Sequence, residues 1–229
     1  MKVVFALLVI AAAVVGGIVL FGGNGNTTTT TTNPSGSGTA VAPETPELTF
    51  TSRKPVVVTV TATQDPKSLA GAATTASNRA VAVVDTVYTE AFLDPSSWNG
   101  GDYDDAWTQF TDEASAQAEA DADTLTAGST AGDVYDTIEP KKATVRPRVL
   151  VDDSGKPVSV MALVIFTARG LHEDGSFTLF KSTGEFFLEP AEDAWRVVAF
   201  DVHRADKERE APPSPSASAG SPSPSESSS

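Results

Sequence analysis

The sequence has no cysteine among its 229 residues. This absence excludes a disulfide framework, thiolate metal sites, a cysteine nucleophile and the lipidated cysteine of a bacterial lipoprotein. Basic residues are also scarce, because 16 Lys and Arg stand against 30 Asp and Glu and leave a formal net charge of −14. Such a charge repels phosphate backbones and anionic head groups, so nucleic acid is not an expected partner.

Motifs for cofactors and metals are missing as well. The chain has no phosphate-binding glycine loop, no GxSxG elbow and no nucleotide fingerprint, so no cofactor is predicted. His172 lies in a polar hairpin connection without a second histidine at ligand spacing, which predicts an exposed turn rather than a metal site. Asp102, Asp104 and Asp105 lack the EF-hand spacing, and we expect them to cap a helix instead.

A long apolar run near the N-terminus gives the strongest prediction of cellular location. Residues 3–21 contain no charged or strongly polar side chain, and about twenty helical residues span a hydrocarbon core. The run is longer than the apolar core of most secretory signals and continues into residues 20–23 without an A-x-A cleavage pattern there, although cleavage stays an alternative. Lys2 favours a cytoplasmic N-terminus. We therefore expect residues 1–23 to be a single-pass anchor in the cell membrane, with the remaining chain outside.

Two low-complexity segments flank the middle of the chain. Residues 24–54 begin with Gly, Asn, Pro and a run of six threonines, and residues 206–229 are mostly Pro, Ser and Ala after a mixed-charge stretch. Neither composition buries enough apolar surface to order itself, so we predict a tether and a disordered tail. O-glycosylated stalks are an alternative for both. A single domain is expected between them, at residues 55–205.

The first half of this domain is predicted to be helical after a short β-branched strand at residues 55–63. From Ser77 onward apolar residues recur at steps of three and four, which predicts a helix that ends at Asp94-Pro95. A second apolar stripe runs from Tyr103 to Leu125 and predicts one long helix, with a kink and restart at Thr111 as the alternative.

The second half changes to a period of two. Residues 143–151, 158–168, 176–188 and 195–203 are β-rich runs separated by short turns, which predicts a four-stranded antiparallel meander. Pro147 lacks an amide hydrogen and therefore predicts that the first of these strands is an edge strand or has an early bulge. The predicted fold class is α+β, with two helices packed on a curved sheet of about four strands.

In this element order, in FTDEASAQ at residues 110–117 and in WRVVAFDV at residues 195–202, the chain resembles the NTF2-like family, whose fold is also called the cystatin-like cone or SnoaL-type fold. The resemblance covers roughly residues 75–204. It implies the cone fold but says little about activity, because this fold is found in isomerases, dehydratases, binding modules and assembly domains. The anchor-plus-domain layout is similar to Mce-associated proteins of actinobacterial envelopes and to VirB8-like components of conjugation machines.

Enzymes with this cone place an Asp or His base inside the cavity, so the resemblance directs attention to residues that can reach the interior. Asp201 and His203 share strand parity with Trp195 and are the candidates for an inward catalytic pair, although the charged residues that follow favour an exposed strand end. Candidate cavity-lining residues are the aromatic side chains of the predicted helices and last strand: Tyr88, Tyr103, Trp107, Phe110 and Trp195. Tyrosines at helical spacing are, however, more often core side chains.

Two functions follow from these features. The first is a non-enzymatic interaction or assembly module in an envelope, export or conjugation complex, with envelope proteins as partners, the membrane bound through residues 3–21, and homo-oligomers left open. The second is binding of a lipid-like small molecule, or an isomerase-like reaction, in the cone. An apolar cavity with a buried acid would favour the second, and a cone filled by Trp107, Phe110 and Trp195 would favour the first.

Overall fold

The computed structural model describes residues 45–46, 48–60, 65–98, 100–192 and 194–211. The apolar run at residues 3–21, most of the tether and residues 212–229 of the tail lie outside these ranges. Within them, no helix combines the length and the hydropathy needed to cross a membrane. The described residues form an α+β domain with several helices, which confirms the predicted α+β class, but the sheet is mixed and six-stranded rather than antiparallel with about four strands.

The longest helix is α1, Ala70–Tyr88, and it continues into a π-helical turn, Thr89–Leu93. Its three-and-four spacing buries one face against the sheet. The chain becomes extended at Asp94, directly before Pro95, so the predicted end is confirmed, whereas the start lies seven residues before Ser77. Proline at this point prevents the preceding residue from remaining helical.

The single long second helix predicted from Tyr103 is wrong. The chain instead forms α2 (Pro95–Trp98), α3 (Asp104–Trp107), α4 (Asp112–Ala120), α5 (Ala122–Leu125) and α6 (Ala131–Val134). The break has a tertiary cause, because Phe110 forms a β-bridge with Val197 of the last strand. The Val197 N–H donates to the Gln109 carbonyl at 3.0 Å, and the Thr111 N–H donates to the Val197 carbonyl at 2.9 Å. These bonds replace helical ones, and the helix restarts after Thr111, as the alternative predicted.

The sheet contains β1 (Thr51–Ser52), β2 (Val56–Thr59), β3 (Thr137–Val151), β4 (Pro157–Leu171), β5 (Phe177–Ala191) and β6 (Ala194–Arg209). Strands β3 to β6 form the predicted antiparallel meander. Gly155 and Gly175 adopt positive φ in the first two connections, which suits glycine. Strands β1 and β2 add to β3 in parallel, a pairing that the sequence pattern did not predict.

The prediction that Pro147 places its strand at an edge is wrong. Strand β3 lies between β4 on one side and β1 and β2 on the other, and its bulge is at Pro140/Lys142. Pro147 is tolerated because it falls between the last β1 partner, Val145, and the first β2 partner, Arg148. Its missing N–H therefore costs no ladder hydrogen bond to a neighbouring strand.

The ordered domain also extends beyond both predicted boundaries. Phe50 is only 3% exposed and packs edge-on against Tyr88 with ring centroids 5.2 Å apart. Its N–H donates to the Asp85 carboxylate at 2.8 Å, which ties the segment before β1 to α1. Burial raises the pKa of Asp85, and this hydrogen bond partly offsets the increase. At the other end, β6 continues to Arg209 and includes four residues that were predicted to belong to the tail.

Arg204 fastens the helical layer to the end of β6. Its guanidinium binds both carboxylate oxygens of Asp206, at 2.9 and 2.6 Å, and donates to the carbonyls of Asp123, at 2.9 Å, and Thr126. It also lies over the Phe180 ring, 4.9 Å from the centroid. The side chain is only 12% exposed, so these partners replace the water that a cation requires.

Candidate interaction surface

The five aromatic residues predicted to line a cavity all lie in the packed core. Their exposed fractions are between 2% and 6%: Tyr88, Tyr103, Trp107, Phe110 and Trp195. The Tyr88 ring packs against four phenylalanines with centroids 4.9 to 6.0 Å apart: Phe50, Phe92, Phe166 and Phe186. Trp107 packs edge-on against Phe110 at 5.7 Å, and Phe110 packs against Phe200 at 5.9 Å. This part of the interior is therefore occupied by side chains.

Each of the two tyrosine hydroxyls has a hydrogen-bond partner within the domain. Tyr88 Oη and Ser182 Oγ are 2.8 Å apart, and the Tyr103 hydroxyl donates to the Gly128 carbonyl at 2.8 Å. Burial raises the pKa of both phenols above the ordinary value. Both groups are therefore neutral hydrogen-bonding groups at physiological pH, in keeping with a structural role.

Asp201 and His203 come together, but on the solvent side of the sheet. His203 Nε2 is 3.6 Å from Asp201 Oδ1, and the two side chains are 82% and 74% exposed, respectively. The cause is a β-bulge in β6, where Leu188 pairs with Val197 while its neighbour Phe187 pairs with Ala199. The extra residue reverses the facing of every later position, so the parity that links these two residues to Trp195 fails.

The remaining polar candidates have local structural partners. His172 is half-buried, with Nε2 3.0 Å from Thr178 Oγ1 and its ring edge-on to Tyr135 at 5.1 Å. The Asp102 carboxylate accepts the Asp104 N–H at 3.1 Å, but Asp102 precedes the N-cap residue, Tyr103, so the expected capping role is wrong for Asp102, whereas Asp104 and Asp105 lie in the first turn as expected. Across the part of the chain that the structure describes, no three His, Asp or Glu side chains cluster in a way that would hold a metal ion.

The charges of the domain are divided between its two layers. Between Ala80 and Pro140 the sequence has fourteen Asp and Glu and no Lys, Arg or His. This stretch forms the later part of α1, all the short helices and the beginning of β3. The helical layer is therefore strongly acidic, and it accounts for much of the negative net charge.

The opposite surface of the sheet, which we call the outer face, is rich in basic residues. It consists of the side chains of β2 to β6 that point away from the helices, as the register and the alternating burial define them. Eight of the sixteen Lys and Arg of the chain lie there: Lys142, Arg146, Arg148, Arg169, Lys181, Arg196, Lys207 and Arg209. Four acidic residues accompany them: Glu139, Glu185, Glu189 and Asp201.

Apolar side chains are exposed between these charges. Five of the most exposed large apolar residues of the described structure lie at positions that point to the outer face. Their exposed fractions are 55% for Val56, 44% for Val58, 60% for Val60, 36% for Leu150 and 37% for Ile165. A groove of about 320 Å³ crosses β3, β4 and β5 beside them. Leu163 and Ile165 lie in this groove, with Arg146 on the β3 side and Glu185 on the β5 side. Exposed apolar surface rimmed by polar groups is typical of an interaction site.

Gly184 allows β5 and β6 to approach closely at this groove. A Cβ atom at this position would lie 2.6 Å from the Val202 Cα of the neighbouring strand. No side chain fits there without moving the backbone of β6, so glycine is required by the close approach rather than by a turn.

Comparison with protein-family models and with curated proteins adds no assignment. Neither comparison finds a match to this chain.

Proposed function

We propose that this chain is a membrane-anchored, extracytoplasmic interaction module of the NTF2-like type, and that its outer face binds protein partners in an envelope, export or conjugation complex. The observation that carries the proposal is the contrast between the two sides of the sheet. The inner side is filled by aromatic side chains, whereas the outer face exposes valine, leucine and isoleucine among arginines and lysines. A surface with this chemistry suits a partner that offers apolar and acidic side chains.

The order of the elements supports the NTF2-like type. A long helix, several short ones and an antiparallel meander follow each other in the expected order. The ligand-binding or isomerase alternative gains no comparable support. Four grooves on the described surface are lined by residues other than the five buried aromatics, and the exposed Asp201–His203 pair has no enclosed surroundings.

The location rests on the sequence. In this proposal residues 3–21 hold the chain in the cell membrane, with the N-terminus in the cytoplasm and the domain outside. Residues 24–44 then connect anchor and domain, and a chain of this length reaches about 70 Å when fully extended. Protease treatment of intact cells tests the orientation. We expect cleavage of the tether and the tail, and their resistance until lysis would contradict it.

The partner proposal is tested by charge reversal with a matched control. Arg146→Glu with Arg148→Glu reverses two exposed charges on the outer face, while Lys67→Glu with Arg79→Glu makes the same change at exposed positions away from it. Each variant is expressed in its native membranes, crosslinked and quantified by mass spectrometry of the captured proteins. We expect the outer-face variant to capture at least tenfold less of its specific partners, and we expect the control to capture the same amount as the unchanged chain. Equal capture by both variants, or capture of only the chain itself at every crosslinker length, would contradict the proposal.

A further inference from the structure

Strand β2 has one edge in the sheet and one edge without a strand partner among the described residues. It pairs in parallel with β3, from Val56 beside Arg148 to Thr59 beside Val151. The Val60 N–H donates to the Val151 carbonyl at 3.2 Å, so this residue points its backbone groups toward β3. Backbone groups alternate along a strand, and the N–H and C=O groups of Val57 and Thr59 therefore point outward.

Although β2 is short, residues 56–60 of this free edge contain no charged side chain and no proline, two features that keep edges from pairing. Proteins usually protect an edge with charged side chains, proline, bulges or cover from another element. Strand β6, at the opposite edge, ends in the highly charged residues 203–210, whereas residues 56–60 contain four valines and one threonine. Val56, Val58 and Val60 are 55%, 44% and 60% exposed, respectively. The edge is thus apolar, β-branched and open to strand addition.

We propose that β2 pairs with β2 of a second copy of this chain, antiparallel and about a two-fold axis at Val58, so that the two sheets become continuous. In this register Val58 lies opposite Val58 of the second copy, and Val56 lies opposite Val60. The outward backbone groups of Val57 lie opposite those of Thr59, and each such pair exchanges two hydrogen bonds. All six exposed valines then meet on one face, where cross-strand β-branched pairs stabilise the pairing.

Self-complementarity and charge favour a second copy over another occupant. Residues 48–60 contain no acidic side chain. In the proposed antiparallel pairing, Arg53 and Lys54 of one copy lie at the opposite end of the paired strands from Arg53 and Lys54 of the second copy. Two copies of Lys54 would be about 26 Å apart, because eight residues separate them at about 3.3 Å each. This distance exceeds the Debye length of about 8 Å at physiological ionic strength. Because the strands are short, we expect a weak dimer.

The absence of cysteine permits a direct test on the purified full-length chain. Val58→Cys places two thiols opposite each other in a non-hydrogen-bonded pair, where Cα atoms lie about 4.5 Å apart and a disulfide is allowed. We expect this variant to form a disulfide-linked dimer at least tenfold faster than Ala199→Cys, an exposed position on β6. Val56→Cys alone is expected to crosslink slowly, because its two copies lie about 13 Å apart. A mixture of Val56→Cys and Val60→Cys chains is expected to crosslink quickly.

Two single proline variants distinguish an effect on dimer pairing from an effect on folding. Thr59→Pro removes an outward N–H that has no partner strand among the described residues, and we expect it to slow crosslinking of Val58→Cys at least tenfold with little change in thermal midpoint. Val58→Pro is the matched variant, because it removes an N–H that points toward β3 and should lower the midpoint. The inference is overturned if Val58→Cys crosslinks no faster than Ala199→Cys, or if Thr59→Pro leaves the rate unchanged. Because no outer-face partner takes part, these results are independent of the partner capture proposed above.

Discussion

Replacement of Arg204 by methionine tests the interior of the domain most severely. The guanidinium makes two bonds to Asp206 and donates to the carbonyls of Asp123 and Thr126, while its plane lies over Phe180. Methionine keeps most of the apolar contact but removes every donor. It leaves one carboxylate and three backbone carbonyls, those of Asp123, Thr126 and Ala127, without their partner at a side chain that is only 12% exposed. The loss is therefore larger than for a surface ion pair.

The magnitude follows from these contacts. Hydrogen bonds to a charged donor contribute about 1.5 kcal/mol each, so the two shorter carbonyl bonds, to Asp123 and Thr126, account for about 3 kcal/mol. The Asp206 side chain is 39% exposed, and screening limits this pair to about 1 kcal/mol. We expect Arg204→Met to lower the free energy of unfolding by about 4 kcal/mol, and Asp206→Asn, the matched control, by about 1 kcal/mol.

Urea denaturation followed by circular dichroism measures both values. With a denaturant dependence of about 2 kcal/mol per molar, the midpoint of the methionine variant should fall by about 2 M and that of the control by about 0.5 M. A loss of less than about 1 kcal/mol for Arg204→Met would refute the reasoning. It would mean that water replaces the guanidinium at the carbonyls, and that the short helices are held to β6 by other contacts.

Three further predictions concern the sheet, a buried hydroxyl pair and pH. Gly184→Ala should lower the thermal midpoint by at least 10 °C, because its Cβ would overlap the β6 backbone. The control, Gly71→Ala, has nothing within 4 Å of its Cβ and should raise stability by about 0.5–1 kcal/mol. Equal midpoints for the two variants would contradict the close approach. Tyr88→Phe and Ser182→Ala should each cost about 1–2 kcal/mol, and the double variant should cost less than their sum; strict additivity would argue against the hydrogen bond. Burial is the larger cause, and repulsion from neighbouring carboxylates the smaller cause, of the raised pKa of Glu90. The folded state therefore binds more protons than the unfolded state, and stability falls as pH rises from the unfolded-state pKa to the folded-state pKa. Glu90→Gln should therefore be more stable than the natural chain at pH 7, with the difference vanishing below the unfolded pKa; an advantage that persists in strong acid would exclude this cause.

Periodicity alone predicted the meander, because each of its strands alternates between a buried and an exposed side over many residues. The same signal failed at Phe110 and Thr111, since the β-bridge to Val197 joins residues almost ninety positions apart in the chain. The parallel addition of β1 and β2 to β3 is equally non-local. Local patterns carry no information about either pairing.

The prediction that Asp201 and His203 point into the cone failed because of one local irregularity in β6. A single extra residue in β6 turns Asp201 and His203 outward, and no residue type in WRVVAFDV marks the position of that bulge. The acidic helical layer, in contrast, is readable from the sequence, because no basic residue occurs between Ala80 and Pro140. The complementary basic outer face became visible only when the strand register placed its charges on one side.

The most direct test of the central claim is site-specific photocrosslinking in native membranes. A photoreactive amino acid at Ile165, in the groove of the outer face, is compared with one at Glu113, which is exposed on the acidic helical layer. We expect crosslinks from Ile165 to distinct envelope proteins, and we expect these crosslinks to be lost when Arg146 and Arg148 are both replaced by glutamate. Crosslinks that arise equally from Glu113, or that arise from Ile165 only to lipid or solvent, would contradict the outer face as the interaction surface.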